Sequence, residues 1–182
     1  MKTALLVIDV QMALADEDAS GAERSCPDAE HNIATLLERF RNSGDLVVHI
    51  HHRGTDPDDP FHPDASGFAV QTIAAPKKGE KVIVKTNSSG FADTPLLGTL
   101  RNAHIERVIL CGATANHCVE STTRSAADLG FDPVYASDAV WAYGVTGPDG
   151  ISHSADQIHS VTLANLEGEL ASVMTTQDIL AM

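Results

Sequence analysis

Short apolar runs alternate along the chain with longer segments in which apolar residues recur every three or four positions. The runs are mostly unbroken, which is typical of parallel strands covered on both faces. A strand is therefore predicted at each of Leu5–Ile8, Leu46–Ile50, Val82–Val84, Val108–Leu110 and Val134–Ala136, with a last short strand at Ala171–Met174.

The segments between these runs have the periodicity of helices. In the clearest one, Ala29–Asn42, the apolar side chains fall on one face and Gly44 follows as a stop. Further helices are predicted over about 95–102, 116–129 and 155–170, with a helical turn after Thr176. Strands that alternate with helices imply right-handed crossovers, so the pattern predicts an α/β fold with a parallel sheet between two layers of helices.

Two connections are long and lack periodicity. The first, from about 53 to 79, is rich in Asp, Pro, Gly and His, and the second, from about 140 to 152, holds Trp141, Tyr143 and several glycines. Long loops inside a compact domain are usually lids, binding loops or oligomer contacts. No repeat, linker or low-complexity segment interrupts the pattern, so residues 1–182 are predicted to form a single domain.

Composition limits the class of protein. A chain of 182 residues that is 43% hydrophobic can bury a full core. The formal charge of −13 argues against nucleic acid and membranes as partners, because both require a positive surface. The apolar start is too short for a signal peptide and is interrupted by Asp9, and no run approaches a membrane span. Three cysteines without a framework spacing indicate reduced thiols, so a cytoplasmic location is expected.

Reactive side chains follow three of the predicted strands. Asp9 and Lys85 stand directly after apolar runs, and Cys118 lies just past a third run. Ligands of open parallel sheets bind beyond the carboxyl ends of the strands, where these side chains would meet. Each alone has an ordinary explanation: a turn cap, a solvated strand end and a small buried thiol. Together they are the parts of nucleophilic catalysis. Cys111, inside an apolar run, is predicted to be a core residue.

The segment before Cys118 has the small side chains that a tight strand-to-helix turn requires. It reads Gly112-Ala-Thr-Ala-Asn-His117 and would place Cys118 in the first helical turn. Unpaired N–H groups and the helix dipole at that position favour a thiolate, so a lowered thiol pKa is expected. The same N–H groups could bind the oxyanion of a tetrahedral intermediate.

Three sequence blocks in this order resemble the isochorismatase-like cysteine hydrolases, which include nicotinamidases and N-carbamoylsarcosine amidohydrolases. The blocks are Leu5–Gln11, Lys85–Phe91 and Cys111–Val119, and they are supported by Tyr135–Ala139. The resemblance extends along essentially the whole chain. It implies a six-stranded, mostly parallel Rossmann-like sheet in a three-layer α/β/α fold.

The resemblance also implies a mechanism. Asp9, Lys85 and Cys118 would form a catalytic triad in which the thiol attacks a carbonyl carbon, the aspartate relays the proton to the leaving nitrogen and the lysine balances charge. A thioester-type intermediate would then be hydrolysed. The oxyanion hole would use a non-proline cis peptide at Ala113–Thr114, with the amides of Thr114 and Cys118 as donors. Ala115 and Asn87 depart from the residues common in the family, at places where substrate selection is expected.

The expected reaction is hydrolysis of a C–N bond in a small amide, carbamoyl or ureido compound, or cyclic amide. Family members that cleave the vinyl ether of isochorismate generally lack the cysteine, and a non-enzymatic redox-reactive member would be expected to lose Asp9 or Lys85. Both remain alternatives, as does a Cys-His pair that uses His117 or His153. His117 adjoins Cys118 and would point about 100° away on a helix.

The histidines of His49-Ile-His-His52 could ligate a metal. Metal-binding nicotinamidases of the family carry an Asp-x-His pattern that this strand end lacks, so neither metal nor cofactor is expected. Further candidates for contact with a small-molecule amide substrate are His52, Asn87, Phe91, Asn116, Trp141 and Tyr143. Trp141 and Tyr143 could instead lie at an oligomer contact, since the family resemblance implies a homodimer or homotetramer.

Overall fold

The computed structural model describes residues 1–182, in which strands and helices alternate as the apolar pattern predicts. The strands are β1 (Thr3–Ile8), β2 (Leu46–His52), β3 (Lys81–Lys85), β4 (Arg107–Ala113), β5 (Asp132–Trp141), β6 (Val145–Thr146), β7 (Ser152–His153) and β8 (Ser172–Met174). The helices are α1 (Met12–Ala19), α2 (Ala29–Ser43), α3 (Leu96–Asn102), α4 (Glu120–Asp128), α5 (Ala155–Leu166) and α6 (Thr176–Leu180).

A six-stranded sheet in the order β3-β2-β1-β4-β5-β8 forms the centre of the molecule, and all its strand pairs are parallel. The side chains of β1 alternate between two apolar clusters, one on each face of the sheet. Leu6 and Ile8 belong to the cluster with α3 and α4, whereas Leu5 and Val7 pack with α2. The predicted three-layer α/β/α architecture is confirmed.

The edge strand β3 is covered less completely than its apolar sequence indicates. Val82 is 43% exposed and Val84 is 47% exposed, while Ile83 between them is buried. The prediction that strands are covered on both faces is therefore wrong for β3, since side chains alternate across a strand and no helix covers this face at the sheet edge.

Several element boundaries differ from the predicted ones. Helix α1 was not predicted, and it is a short element with two buried residues, so it has little apolar periodicity. Helix α5 ends at Leu166 rather than near 170, because the backbone of Glu167 is extended. The second long loop contains the antiparallel hairpin β6–β7. None of the helices has the length and apolar character that crossing a bilayer requires.

Candidate active site

Asp9, Lys85 and Cys118 meet at the carboxyl edge of the sheet. Asp9 follows β1, Lys85 ends β3 and Cys118 lies after β4. In the sheet, β4 lies next to β1, and β2 lies between β1 and β3. The Nζ atom of Lys85 lies 2.7 Å from Oδ2 of Asp9 and donates a hydrogen bond of 3.2 Å to Sγ of Cys118. One ammonium group thus contacts both the carboxylate and the thiol.

Burial controls the electrostatics of the ion pair. Asp9 is 3% exposed and Lys85 is 1% exposed. Burial raises the pKa of Asp9, and the positive charge of Lys85 opposes this rise. The second carboxylate oxygen of Asp9, Oδ1, is buried without a hydrogen-bond partner. This oxygen is therefore free to accept a proton.

Cys118 has a raised pKa rather than the lowered one that its position in the sequence predicts. Burial is the main cause, the negative charge of Asp9 adds to it and Lys85 opposes it, which brings the thiol pKa to about 12. The prediction is wrong because desolvation and a nearby carboxylate outweigh the N–H groups of the turn. At neutral pH the resting Cys118 therefore retains its proton, and Asp9 is a base in its immediate surroundings.

The turn that presents Cys118 depends on a close approach between β4 and β1. Gly112 has φ +118°, and a Cβ atom there would lie 1.9 Å from the carbonyl oxygen of Ile8. The next peptide bond, Ala113–Thr114, is cis. Cys118 then lies in a single π-helical turn, Ala115–Val119, that leads into α4. The N–H of Thr114 donates no hydrogen bond within the protein, and Thr114 lines the cavity, so this N–H is available to an oxyanion.

His52 lies on the other side of Lys85 and is fixed by Gln11. The side-chain amide of Gln11 accepts from the backbone N–H of His52 (2.7 Å) and donates to its carbonyl (3.0 Å). Nδ1 of His52 lies 3.3 Å from Nζ of Lys85. Burial, and then the charge of Lys85, lower the pKa of His52, which keeps the ring neutral at neutral pH.

A cavity of about 620 Å³ opens above the three residues. Its lining consists of Asp9, Leu14, His52, Asp56, Asp58, Asp59, Pro60, Phe61, Ala113, Thr114 and Cys118. The loop between β2 and β3 supplies the stretch Pro60–Phe61 and the three aspartates before it. The sequence predicts that this loop is a lid, a binding loop or an oligomer contact, but no periodicity or motif identifies which of its side chains face the cavity.

Three other predicted substrate contacts lie away from this cavity. Asn87 is exposed and donates to Oδ2 of Asp93. Phe91 packs against the core, with its ring stacked on that of Phe131 at a centroid distance of 6.0 Å. Asn116 lines a separate shallow pocket beside α5. Their sequence neighbours Lys85 and Cys118 contact each other at the base of the cavity, but these three side chains lie elsewhere.

Trp141 and Tyr143 do not line the cavity either. Trp141 is fully buried, and its indole N–H donates to the hydroxyl of Tyr143 at 3.1 Å. That hydroxyl in turn donates its single proton to Oδ1 of Asp18 at 2.8 Å and lies 3.2 Å from the carbonyl oxygen of Leu14. Tyr143 therefore contacts α1 through its hydroxyl group, and Leu14 of α1 lines the cavity. The prediction that the aromatic rings wall the pocket is wrong because the loop folds under α1.

The histidines of β2 do not converge on one point. Nε2 of His49 lies 2.9 Å from Glu80, while His52 faces Lys85. Asp9, His52 and Cys118 do offer ligand atoms within 4.8 Å of one another. The ammonium of Lys85 lies within 3.3 Å of each of these three residues and supplies the positive charge among them.

Comparison with known proteins agrees with this fold. Residues 3–178 match the family model of the isochorismatase domain. The isochorismatase family protein YrdC of Bacillus subtilis is 38% identical over 179 residues, which cover 98% of this chain and 95% of that protein. Streptothricin hydrolase of Streptomyces noursei is 37% identical over 152 residues, which cover 82% of this chain and 58% of that enzyme.

Solved structures show the same relationship. A protein of Chromobacterium violaceum described as a hydrolase of the isochorismatase family superposes with a TM-score of 0.94 at 35% identity, over 99% of this chain and 92% of that one. N-carbamoylsarcosine amidase of Thermoplasma acidophilum superposes with a TM-score of 0.74 at 25% identity, over 97% of each chain. With its fold, its sequence and its relatives in agreement, the chain belongs to the isochorismatase family of hydrolases.

Proposed function

We propose that the chain is a cysteine hydrolase that cleaves a C–N bond in a small amide, carbamoyl or ureido compound, or cyclic amide. The observation that carries this proposal is the contact of Lys85 with both Asp9 and Cys118 at the base of a cavity. The names of two relatives support it, since one is an N-carbamoylsarcosine amidase and the other a streptothricin hydrolase.

The first half of the reaction uses the free oxygen of Asp9. Oδ1 of Asp9 takes the thiol proton as Sγ of Cys118 attacks the carbonyl carbon. The N–H groups of Thr114 and Cys118 bind the resulting oxyanion. Asp9 then gives its proton to the leaving nitrogen, the C–N bond breaks and a thioester forms. The positive charge of Lys85 offsets the negative charge that moves between Cys118 and Asp9.

The second half hydrolyses the thioester. A water molecule loses a proton to Asp9, attacks the thioester carbon and passes through a second oxyanion at the same N–H groups. The carboxylic or carbamic acid leaves, and the thiol of Cys118 regains a proton from Asp9. The same three residues therefore serve both halves, because each half needs one proton acceptor that later becomes a donor.

The alternative functions receive less support from this site. His117 and His153 are exposed, and neither lines the cavity that holds Cys118, so a Cys-His pair lacks its base. A redox-reactive thiol would require a low pKa, whereas the pKa of Cys118 is raised to about 12. No residue of the cavity specifically favours a vinyl-ether substrate.

The experiment that tests the proposal is hydrolysis of a panel of small amides and ureides. Nicotinamide, maleamate, N-carbamoyl amino acids and biuret are followed by ammonia release, and cyclic amides by the mass gained on ring opening. We expect turnover of at least one compound, reduced by about three orders of magnitude or more in Cys118→Ala.

Cys26→Ala is the matched control, because Cys26 is a half-buried thiol outside the cavity. It should keep the activity of the wild-type chain. Turnover that survives Cys118→Ala, or a chain that hydrolyses no compound of the panel, would contradict the proposed function.

A further inference from the structure

We propose that the substrate carries a positively charged alkylammonium or guanidinium group, and that the carboxylates of Asp56, Asp58 and Asp59 bind it at the mouth of the cavity. This inference rests on the proposed function, because the cation belongs to the molecule that is cleaved at Cys118. It names the class of amide rather than a particular compound.

The charged residues that line the cavity are all acidic. Asp9 lies at its base, whereas Asp56 and Asp58 are exposed and Asp59 is half-buried at its mouth. No Lys or Arg side chain contributes to the lining. Lys85 lies beneath it and is engaged with Asp9 and Cys118. A ligand therefore enters through a region of negative potential, which attracts cations and repels anions.

The three aspartates at the mouth have no cationic partner. None of them takes part in an ion pair of the chain. Asp56 accepts the backbone N–H of Asp58 with Oδ1, and Asp59 accepts that of Phe61 with Oδ1. These bonds fix the carboxylates and leave Oδ2 of each free, while Asp58 keeps both oxygens free. Neighbouring like charges without a counter-charge repel one another, and a bound cation would relieve that repulsion.

A second observation at the base of the cavity also points to a ligand. Oδ1 of Asp9 is buried without a hydrogen-bond partner, in a residue that is 3% exposed. A buried acceptor left without a donor is costly, so a ligand N–H at this position stabilises the site. Each end of the cavity therefore favours a nitrogen group of the ligand: an amide nitrogen beside Asp9 and a cationic nitrogen beside the aspartates at its mouth.

The wall between the two ends is apolar. Leu14, Phe61, Pro60 and Ala113 line it, which suits the carbon framework that would join the amide to the cation. An anionic substrate would need a cation in the lining. Arg53 begins the loop but does not line the cavity.

The first test measures the charge preference of the cavity with two thiol reagents. Cys118 is labelled with methanethiosulfonates of similar size, one bearing a trimethylammonium group and the other a sulfonate. In both reactions the thiolate attacks the sulfenyl sulfur, a mixed disulfide forms and methanesulfinate leaves. Rates come from intact mass, are divided by those for free 2-mercaptoethanol and are corrected with Cys118→Ala for labelling of Cys26 and Cys111.

We expect the cationic reagent to react with Cys118 at least about tenfold faster than the anionic one at an ionic strength of about 0.01 M. The ratio should fall at about 0.5 M salt, where the screening length is much shorter. Equal normalised rates at low salt would overturn the inference.

A charge-matched pair of variants separates the cavity from the net charge of the chain. Asp58→Asn removes a carboxylate at the mouth and should lower the ratio at least about threefold. Asp64→Asn removes another carboxylate of the same loop. The side chain of Asp64 is 94% exposed and does not line the cavity, so this variant should leave the ratio unchanged. Equal effects of the two variants would show that the preference belongs to the whole surface, which would overturn the inference.

The second test uses amides that the chain hydrolyses through Cys118. An aminoalkyl amide and its N-acetylated, neutral counterpart are compared, and we expect kcat/KM at least about tenfold higher for the cation. Asp58→Asn should lower kcat/KM more for the cation than for the neutral amide. Hydrolysis that depends on Cys118 but prefers the neutral compound contradicts this inference and leaves the proposed function standing. A failure of every amide contradicts the proposed function, whatever the labelling ratio.

Discussion

Asp9 and Cys118 both contact one buried cation, Lys85, and both groups have a raised pKa. Burial raises the pKa of both groups, and Lys85 opposes the rise in each. A protonated thiol beside a carboxylate with a free oxygen is ready for proton transfer at the moment of attack. In the proposed mechanism the resting nucleophile is therefore a thiol, and its attack on the substrate carbonyl is accompanied by transfer of its proton to Asp9.

Replacing Asp9 separates thiol reactivity from turnover. In Asp9→Asn the negative charge that raises the pKa of Cys118 is lost and Lys85 faces the sulfur alone, so alkylation of Cys118 by iodoacetamide at pH 8 should become faster. Turnover should fall by about 10²-fold or more, because the proton acceptor is gone. Intact mass gives the alkylation rate and the amide panel gives the turnover.

Asp64→Asn serves as the control, since it removes an exposed carboxylate outside the cavity. An alkylation rate that is unchanged or slower in Asp9→Asn would refute the role given to Asp9.

The positions of the triad residues could be predicted from the sequence, but their electrostatics could not. Asp9 and Lys85 directly follow apolar runs, and parallel strands bring such positions to one edge. The raised pKa of Cys118 depends on how deeply the sulfur is buried and how near it lies to Asp9, which no local pattern records. For the same reason, the sequence predicts a pocket wall or an oligomer contact for Trp141, although this residue lies in the core.

At the scale of elements, the junction of β1 and β4 positions the nucleophile. The two strands pair from Thr3 with Arg107 to Ile8 with Gly112, where β4 also loses its regular register with β5. Ala113 and Thr114, which follow directly, line the cavity. A disturbance at Gly112 is therefore transmitted to the atoms that would contact the substrate.

Gly112→Ala should destabilise the chain and reduce its activity. The added Cβ would lie 1.9 Å from the carbonyl oxygen of Ile8, and φ of +118° is strained for any L side chain. We expect a loss of about 2–3 kcal/mol or more in the free energy of unfolding, measured by urea denaturation.

Gly98→Ala is the matched control within α3, because its Cβ would meet no atom within 4 Å. It should leave the stability unchanged or raise it by up to about 1 kcal/mol. Equal losses in the two variants would mean that the approach of β4 to β1 tolerates a side chain.

The elements that could be predicted are those with long or unbroken apolar patterns. The prediction of α2 is confirmed within one residue, and its stop, Gly44, has the expected left-handed conformation with φ 73°. Helix α1 and the β6–β7 hairpin could not be found, since both are short, α1 buries only two residues and the hairpin strands are exposed. The backbone of the loop after β2 is held by turns and by the side chain of Gln11, which donates to the carbonyl of Phe68, and such contacts are tertiary information.

At the scale of the whole molecule, the histidines on β2 make stability depend on pH. Burial lowers the pKa of His49 and His52, and it lowers that of His51 from 6.5 to about 4. Between pH 6.5 and about pH 4, the unfolded chain therefore binds more protons than the folded chain. Stability therefore rises with pH across this window and is lost as the pH falls from 6.5 towards 4.

Urea denaturation at pH 7.5, 5.5 and 4.5 measures this dependence. His51 alone should contribute about 2–3 kcal/mol of the loss, so His51→Gln should flatten the profile by that amount. His31→Gln, at an exposed position on α2, should not change the slope. A profile in His51→Gln as steep as that of the unchanged chain would contradict the assignment.

The expected homodimer or homotetramer stays a prediction.

The cavity is built from two kinds of structure, the ends of the strands and the loop between β2 and β3. The reactive groups are anchored to strand ends inside the core, whereas Asp56, Asp58, Asp59, Pro60 and Phe61 come from one surface segment. Mutations in that segment can accumulate without disturbing the sheet. The preferred substrate can therefore change during evolution while the reaction is retained. Grafting this segment onto a relative would be an economical route to engineered selectivity.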